Sequence, residues 1–392
     1  MKDLVSERLG IRERALGCCL VWLNRPVGGF VVGVVVADRR AVVRAPGSVR
    51  RRMLCAYAPR MHLGTPYRSS GADLPFGSLT SRHGVAMEGY FWRFTDTAAQ
   101  RVVTALIGVQ QSSRGPWALV GLGAHPGRFW RQGVLMDAQA RSDGPGARAG
   151  SLFFGDDRRI VVDLAPDARL DVTLSDLKRW PRTRPFGGSS WFQMIPGLNQ
   201  YWHPWLLGGR AVGTATIGRE TWQLNDAQVY AEKNWGSDGF PTAWWWGQAQ
   251  GFAEKDACVA FAGGEVSAGP LRTTVTALVV RLPDGTLLRL GNPGTSPVRA
   301  MITDSSWALT GRSRLWQVEL EGDAHLADAL VLPVPLVEER RAAPGALEHL
   351  GATMNVRVRN HGRLVWEGTS RLAGLEHGGL QRAAAEAHRR EP

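Results

Sequence analysis

Lysine is almost missing from this chain. Only Lys2, Lys178, Lys233 and Lys255 occur, so arginine supplies 43 of the 47 basic residues. A lysine held inside a motif therefore stands out. Cysteine is as scarce, with Cys18, Cys19, Cys55 and Cys258 alone. The adjacent pair has neither CxxC spacing nor partner histidines, which argues against a zinc site. One or two thiols in the body give no disulfide framework, which fits a reducing, cytoplasmic setting. His62, His83, His125 and His203 are scattered, with no second ligand at helical or hairpin spacing, so no metal is expected. The chain also lacks GxGxxG, P-loop, HExxH and GxSxG patterns. Nucleotide cofactors, zinc-protease chemistry and the usual serine-hydrolase chemistry all lose support, and no cofactor is expected.

An apolar run long enough to cross a bilayer is missing too. Leu16–Leu23 and Val27–Ala37 are apolar, but Asn24-Arg25-Pro26 divides them, and neither reaches the ~20 residues a span needs. The interruption also spoils a secretory signal. Residues 1–52 carry 11 basic and 4 acidic side chains, a net of +7, while the other 340 residues net only +5. A nucleic-acid binder concentrates its basic residues on one folded face. Here the excess sits in a leader, so no nucleic-acid partner is expected. Residues 1–55 read as a poorly structured basic leader, of which 1–52 is expected to be removable, with Met53 a plausible natural start. A peripheral membrane contact through this arm is the functional alternative. Oligomeric state is not legible.

What is present is a 392-residue globular composition, 44% hydrophobic, with 47 glycines and 16 tryptophans. From Tyr57 onward the pattern is β. Val102–Gln110, Trp117–Leu122, Ile160–Leu164 and Ala168–Leu174 read as strands, the last with Leu170, Val172 and Leu174 alternating with Asp171 and Thr173. Thr273–Leu282 and Thr286–Leu290 flank Pro283-Asp284-Gly285, and Met354–Arg359 and Arg363–Glu367 flank Asn360-His361-Gly362; both read as hairpins. Arg314–Leu320 alternates as a further strand. Helix signals are few: one turn at Ser175–Arg179, and an Ala-rich solvated tail at Leu380–Arg390. Residues 56–205 are expected to form one β domain, 206–379 a second, and 380–392 the tail. Many short strands with glycine-rich turns make sandwiches or barrels.

Two stretches depart from an ordinary β protein. In Met87-Glu88-Gly89-Tyr90-Phe91-Trp92-Arg93 a carboxylate sits beside three aromatics. Tyr230-Ala231-Glu232-Lys233-Asn234-Trp235-Gly236 is followed by Phe240-Pro241 and by Trp244-Trp245-Trp246-Gly247-Gln248, so an acid, a base, an amide and four tryptophans fall within nineteen residues. On a strand, Tyr230, Glu232 and Asn234 share one face and Ala231, Lys233 and Trp235 the other. Consecutive Trp244, Trp245 and Trp246 cannot all face inward. Trp191, Trp202 and Trp205 lie in a Gly/Pro-rich connector, where packing between domains is the expected role.

The string YAEKNWG, then FP, then WWW with a glutamine two residues on, resembles the signature of tocopherol cyclases. Met87–Arg93 is similar to an earlier motif of that family, and Leu375-Glu376-His377-Gly378-Gly379 to its C-terminal segment. More distantly, Glu232–Gly236 resembles a motif of carotenoid hydratases. The resemblance covers about Gly71 to Gly379. It implies an all-β fold of two lipocalin-like antiparallel β-barrel or sandwich domains packed together, holding an apolar ligand. It also implies a cofactor-free cyclase or isomerase, which protonates a prenyl double bond so that a phenol oxygen captures the cation. A hydratase of an isoprenoid double bond and a non-catalytic lipid or quinol carrier are the alternatives.

Such chemistry needs a proton donor in a dry, cation-tolerant site. A glutamate desolvated among tryptophans keeps its proton near neutrality, and indole faces attract a cation. Glu232 is the expected acid, Glu88 its reserve, with Lys233, Asn234 and Tyr230 tuning or orienting. Trp235, Trp244, Trp245, Trp246, Gln248, Tyr90, Trp92 and Arg93 are the expected substrate contacts.

Overall fold

The computed structural model describes residues 86–390, apart from 142, 143, 182, 185, 196, 197 and 238, together with the strand backbones 18–24 and 30–36. Strands β1 (Cys18–Asn24) and β2 (Phe30–Val36) pair antiparallel within a separate unit, Met1–His62. The other expectations for the leader, its packing and removability among them, lie outside the described residues, as do His62 and His83.

The body is a succession of strands. They are β3 (Met87–Asp96), β4 (Arg101–Ser112), β5 (Gly115–His125), β6 (Phe129–Leu135), β7 (Ala138–Ala140), β8 (Ala147–Ala149), β9 (Phe153–Gly155), β10 (Arg159–Ala165), β11 (Ala168–Ser175), β12 (Tyr201–Leu206), β13 (Arg210–Ile217) and β14 (Glu220–Gly236). There follow β15 (Trp244–Ala249), β16 (Cys258–Ala268), β17 (Leu271–Arg281), β18 (Leu287–Leu290), β19 (Val298–Ile302), β20 (Ser306–Arg312), β21 (Trp316–Asp323), β22 (Leu330–Leu336), β23 (Arg341–Asn360), β24 (Arg363–Gly378) and the helix α1 (Leu380–Arg390).

Strands β3 to β14 make one sheet, ordered β6-β5-β4-β3-β14-β13-β11-β10-β9-β8-β7, with β12 on β14. Strands β15 to β24 make the second, ordered β18-β17-β16-β15-β24-β23-β21-β20-β19, with β22 on β23. Neighbours pair antiparallel throughout. The first sheet curls until β7 meets β5 and β10 meets β6; in the second, β17 meets β19. The all-β expectation, two antiparallel domains in contact, is met. The change of sheet falls between Gly236 and Trp244, because residues 201–236 still pair with the first sheet. The expected division at 205/206 lies some thirty residues earlier.

The sequence patterns explain the local structure. Strand β11 alternates perfectly, its even-numbered residues buried and its odd-numbered ones exposed. Asn360 pairs with Arg363 across a two-residue turn whose His361 and Gly362 both have positive φ (48° and 79°), the twist a tight hairpin needs. The helical turn expected at Ser175–Arg179 does not form. There the backbone crosses to the segment before β13: the Lys178 amide donates to Gly208 O (2.8 Å) and the Leu207 amide to Lys178 O (2.9 Å). The tail is helical as expected, but α1 is not wholly solvated. It buries Ala383 and Glu386, and Arg390 donates to Ala329 O (2.6 Å) and Leu326 O (2.9 Å).

Each sheet encloses its own core, one around Trp92, Phe94, Phe153 and Trp222, the other around Phe261, Trp307, Met354 and Leu375. A third core fills the seam, where Tyr201, Trp202, Tyr230 and Trp235 of the first sheet meet Trp246, Cys258 and Val279 of the second. Arg93 stitches the seam, donating from Nη2 to Leu350 O (2.8 Å) and Leu372 O (2.5 Å). Among the described residues, no helix is long and apolar enough to cross a membrane.

Candidate active site

Strand β14 changes partners halfway along. Its first half pairs with β13 as far as Gln228, past Asp226, whose φ is +62°; residues 228–236 pair with β3, and 231–235 have β12 on their other side. The YAEKNWG motif thus lies at the sheet-to-sheet seam with two faces, each buried in different surroundings.

The front face borders a cavity of about 210 Å³ walled by both sheets. Glu232 opens onto it. Three donors converge on Glu232 Oε2: Tyr230 Oη (2.6 Å), Trp202 Nε1 (2.8 Å) and Trp246 Nε1 (2.9 Å). None of them reaches Oε1. An indole N–H can only donate, so Oε2 is fixed as an acceptor and the proton of the neutral acid belongs on Oε1. Burial raises the pKa of Glu232 above the usual carboxylate range, and the Tyr230, Trp202 and Trp246 hydrogen bonds oppose the shift only in part. No cation pairs with this carboxyl in its hydrogen-bond set.

Asn234 also borders the cavity, lying over Gly89 of β3 in register. A Cβ at Gly89 would stand 2.1 Å from Asn234 Oδ1, which is why a glycine follows Glu88. Phe91, opposite Glu232, meets Trp246 edge-on with centroids 5.4 Å apart. The three consecutive tryptophans divide as strand geometry requires. Trp244 and Trp246 turn toward the seam; Trp245 turns into the second core and donates to Thr276 Oγ1 (3.2 Å), though all three border the cavity.

The back face holds a different group. Lys233 and Glu88 form an ion pair (2.8 Å) that is almost wholly buried, 2% and 0% exposed. Tyr90 borders the cavity with part of its surface, yet gives its hydroxyl to Glu88 Oε1 (2.6 Å). Lys233 Nζ also stands 5.0 Å from the Trp235 ring, which stacks on Tyr201 (5.2 Å). His203, fully buried beside Lys233, is driven down to about 3 by desolvation, with the Lys233 charge adding to it.

Several expected site residues are therefore not on the cavity. Glu88, Lys233 and Trp235 alternate away from it on their strands. Trp92 lies inside the first core, against Phe153 (5.8 Å). Arg93 gives its Nη2 to the seam. Gln248 is buried beside Cys258 Sγ (3.7 Å). Tyr230 reaches the site through its hydrogen bond to Glu232. Conversely, sequence reasoning assigned Trp202 to packing alone, and passed over Glu348 and Glu376. Both carboxyls border the cavity, and Trp244 Nε1 donates to Glu376 Oε1. Glu376 did lie in a quoted motif, a signal that could have raised it. Among the described residues no group of His, Cys, Asp and Glu is placed to hold a metal ion.

Comparison with known proteins agrees with this architecture. The chain is 26% identical over 262 residues to a probable chloroplastic tocopherol cyclase of Oryza sativa subsp. japonica, and 22% identical over 271 residues to the chloroplastic tocopherol cyclase of Zea mays. Each match covers 64% of this chain and 51% of the relative, so the chain spans about half the length of the curated relatives it matches. Among solved structures, the crystal structure of CghA superposes with a TM-score of 0.52 at 12% identity, over 76% of this chain and 88% of that one, a likeness of fold alone. Residues 123–379, well over half of the sequence, match the family described as tocopherol cyclase-like, and the chain belongs to that family.

Proposed function

We propose that this protein is a cofactor-free acid catalyst that closes a ring on a prenylated quinol, phenol or related terpenoid. The observation that carries the reading is the setting of Glu232: a buried carboxyl with three neutral donors on one oxygen, its other oxygen left for an apolar cavity. Glu232 Oε1 gives its proton to the less substituted carbon of a prenyl double bond. The new C–H bond consumes the π pair and leaves a tertiary cation. Indole and phenyl groups of Trp244, Trp246 and Phe91 tolerate that charge, because their π faces are negative. The quinol hydroxyl then forms the C–O bond, and its proton leaves to a carboxylate, so the sum is an isomerisation. Asn234 orients the oxygen end of the substrate.

General acid assistance of this kind contributes ~10²–10⁴-fold, and alignment of the chain against the hydroxyl adds more. Lys233 and Glu88 serve the fold behind the wall.

The test is turnover of a prenylated hydroquinone in heavy water. One deuterium is expected at the methylene beside the ring-closure carbon, and Glu232→Gln is expected to lose product ~10²–10⁴-fold while still binding the substrate. Undiminished turnover and labelling in that variant would remove Glu232 from the acid role. An oxygen from water in the product would make the enzyme a hydratase. Tight binding with no product from any prenylated quinol would make it a carrier.

A further inference from the structure

Trp246, Glu376 and Glu348 stand side by side on β15, β24 and β23, since Trp246 pairs with Glu376 and Glu376 with Glu348 in register. Directly opposed side chains on neighbouring strands have Cβ atoms about 5 Å apart. Both carboxyls point to the seam and border the same cavity as Glu232. The hydrogen bond from Trp246 to Glu232 joins this row to the acid. Glu348 is 2% exposed, and its Oε1 has no hydrogen-bond partner. A buried carboxyl oxygen without a partner costs stability unless something else satisfies it. The open side of this one is the cavity.

Resting on the acid role of Glu232, we infer that the Glu376–Glu348 pair is the second proton site of the cavity, where Glu376 takes the proton that the capturing hydroxyl gives up and Glu348 shares it. The step balances. As the hydroxyl oxygen bonds to the cation, its O–H bond breaks and the proton passes to a Glu376 carboxylate oxygen. Glu232, left anionic by the first transfer, regains a proton from the pair, and no net proton enters or leaves. The charges facing Glu376 come from each packed strand: Glu348 from β23, Glu232 from β14, and Arg93 of β3 beyond Glu348, with Trp244 of β15 donating to it. Two like charges so close cannot both ionise easily, so the pair holds one proton and one vacancy. Burial first, and then Glu232, bring Glu376 up to about 7, while burial and Glu376 hold Glu348 well above the usual range. The Arg93 charge lowers Glu348 only in part.

Two measurements test the pair. The first needs no turnover. An alkyl hydroquinone with a saturated side chain cannot be protonated at carbon, but it presents the hydroxyl. In Glu232→Gln, where that acid adds no band, its binding is expected to shift a protonated-carboxyl infrared band, and in the Glu232→Gln/Glu376→Gln double variant it is not. The same shift in both proteins, or none in Glu232→Gln, would overturn the inference even if Glu232 proves to be the acid. The second is the pH profile of ring closure. The wild-type rate should rise as Glu376 ionises near pH 7 and fall as Glu232 loses its proton. Glu376→Gln should lose ~10²-fold and its rising limb, and Glu376→Asp should recover part of both. A rising limb that persists in Glu376→Gln with less than threefold loss would contradict the role.

Discussion

Two buried glutamates on adjacent paired strands differ in one respect, the face they occupy. Glu232 looks to the front, where three neutral donors hold one oxygen and the cavity wall adds the carboxyls of Glu348 and Glu376. Glu88 looks to the back, where Lys233 and Tyr90 close around it. Burial raises both above the usual carboxylate range, but for Glu88 the Lys233 charge is the leading opposing force. A cation at 2.8 Å favours the carboxylate form, while the indole donors oppose the effect of burial without bringing a charge. Alternation along a strand lets one motif supply both, a carboxyl on the cavity in front and a buried ion pair between β3 and β14 behind.

The comparison breaks most visibly in stability. Lys233→Ala leaves Glu88 buried without its cation and should cost about 3–5 kcal/mol in urea unfolding, whereas Glu232→Gln keeps size and polarity and should cost under about 1.5 kcal/mol. Equal losses would erase the distinction. The carboxyls of the second sheet give the next effect. With Glu376 raised from 4.5 to about 7, the folded state holds its proton more firmly than the unfolded one. Its stabilising share is full below 4.5 and fades as pH rises through about 7. His203, His349 and His377 are depressed to about 3, 4 and 4, chiefly by burial, and run the opposite way, their share fading as pH falls below 6.5. Only the difference between Glu376→Gln and the wild type isolates the carboxyl. It should move in the variant's favour by roughly 3 kcal/mol between pH 4.5 and 8, at about 1.4 kcal/mol per unit. A flat difference would mean that Glu376 is not perturbed.

A smaller effect is expected from Gly378→Ala, whose Cβ would lie 1.7 Å from the Trp244 ring. Displacing that indole should cost about 1–3 kcal/mol and weaken quinol binding, read by calorimetry. The smallest should come from Trp246→Phe, which keeps a ring but removes one donor to Glu232 Oε2. Losing an anion-stabilising hydrogen bond raises the Glu232 value further, so the alkaline fall of activity should move to higher pH by up to about one unit. A shift toward lower pH would contradict the donor role.

Much of this was legible in the residues. Alternation at Ala168–Leu174 and the turn at Asn360–Gly362 depend on neighbours in sequence, so they could be read directly. The front face of Tyr230, Glu232 and Asn234 followed from strand period alone. The partner of each face did not, because pairing across strands is non-local. Nothing near Lys233 says that Glu88, 145 positions earlier, lies beside it. Trp202 looked like packing because its connector is rich in glycine and proline, yet β12 sets its indole against Glu232. Glu348 has no motif at all; only the register of β23 on β24 brings it to Glu376. The helical turn at Ser175–Arg179 was lost to backbone bonds with residues 205–208, which local propensity cannot anticipate.

The most direct test of the account is the protonation of Glu232 itself, with no substrate present. At neutral pH, the infrared difference between the wild type and Glu232→Gln should show the carbonyl band of a protonated carboxyl, and the difference against Glu88→Gln should show a carboxylate. A carboxylate at Glu232 at neutral pH would contradict the account, for a glutamate already ionised in the resting cavity has no proton to give.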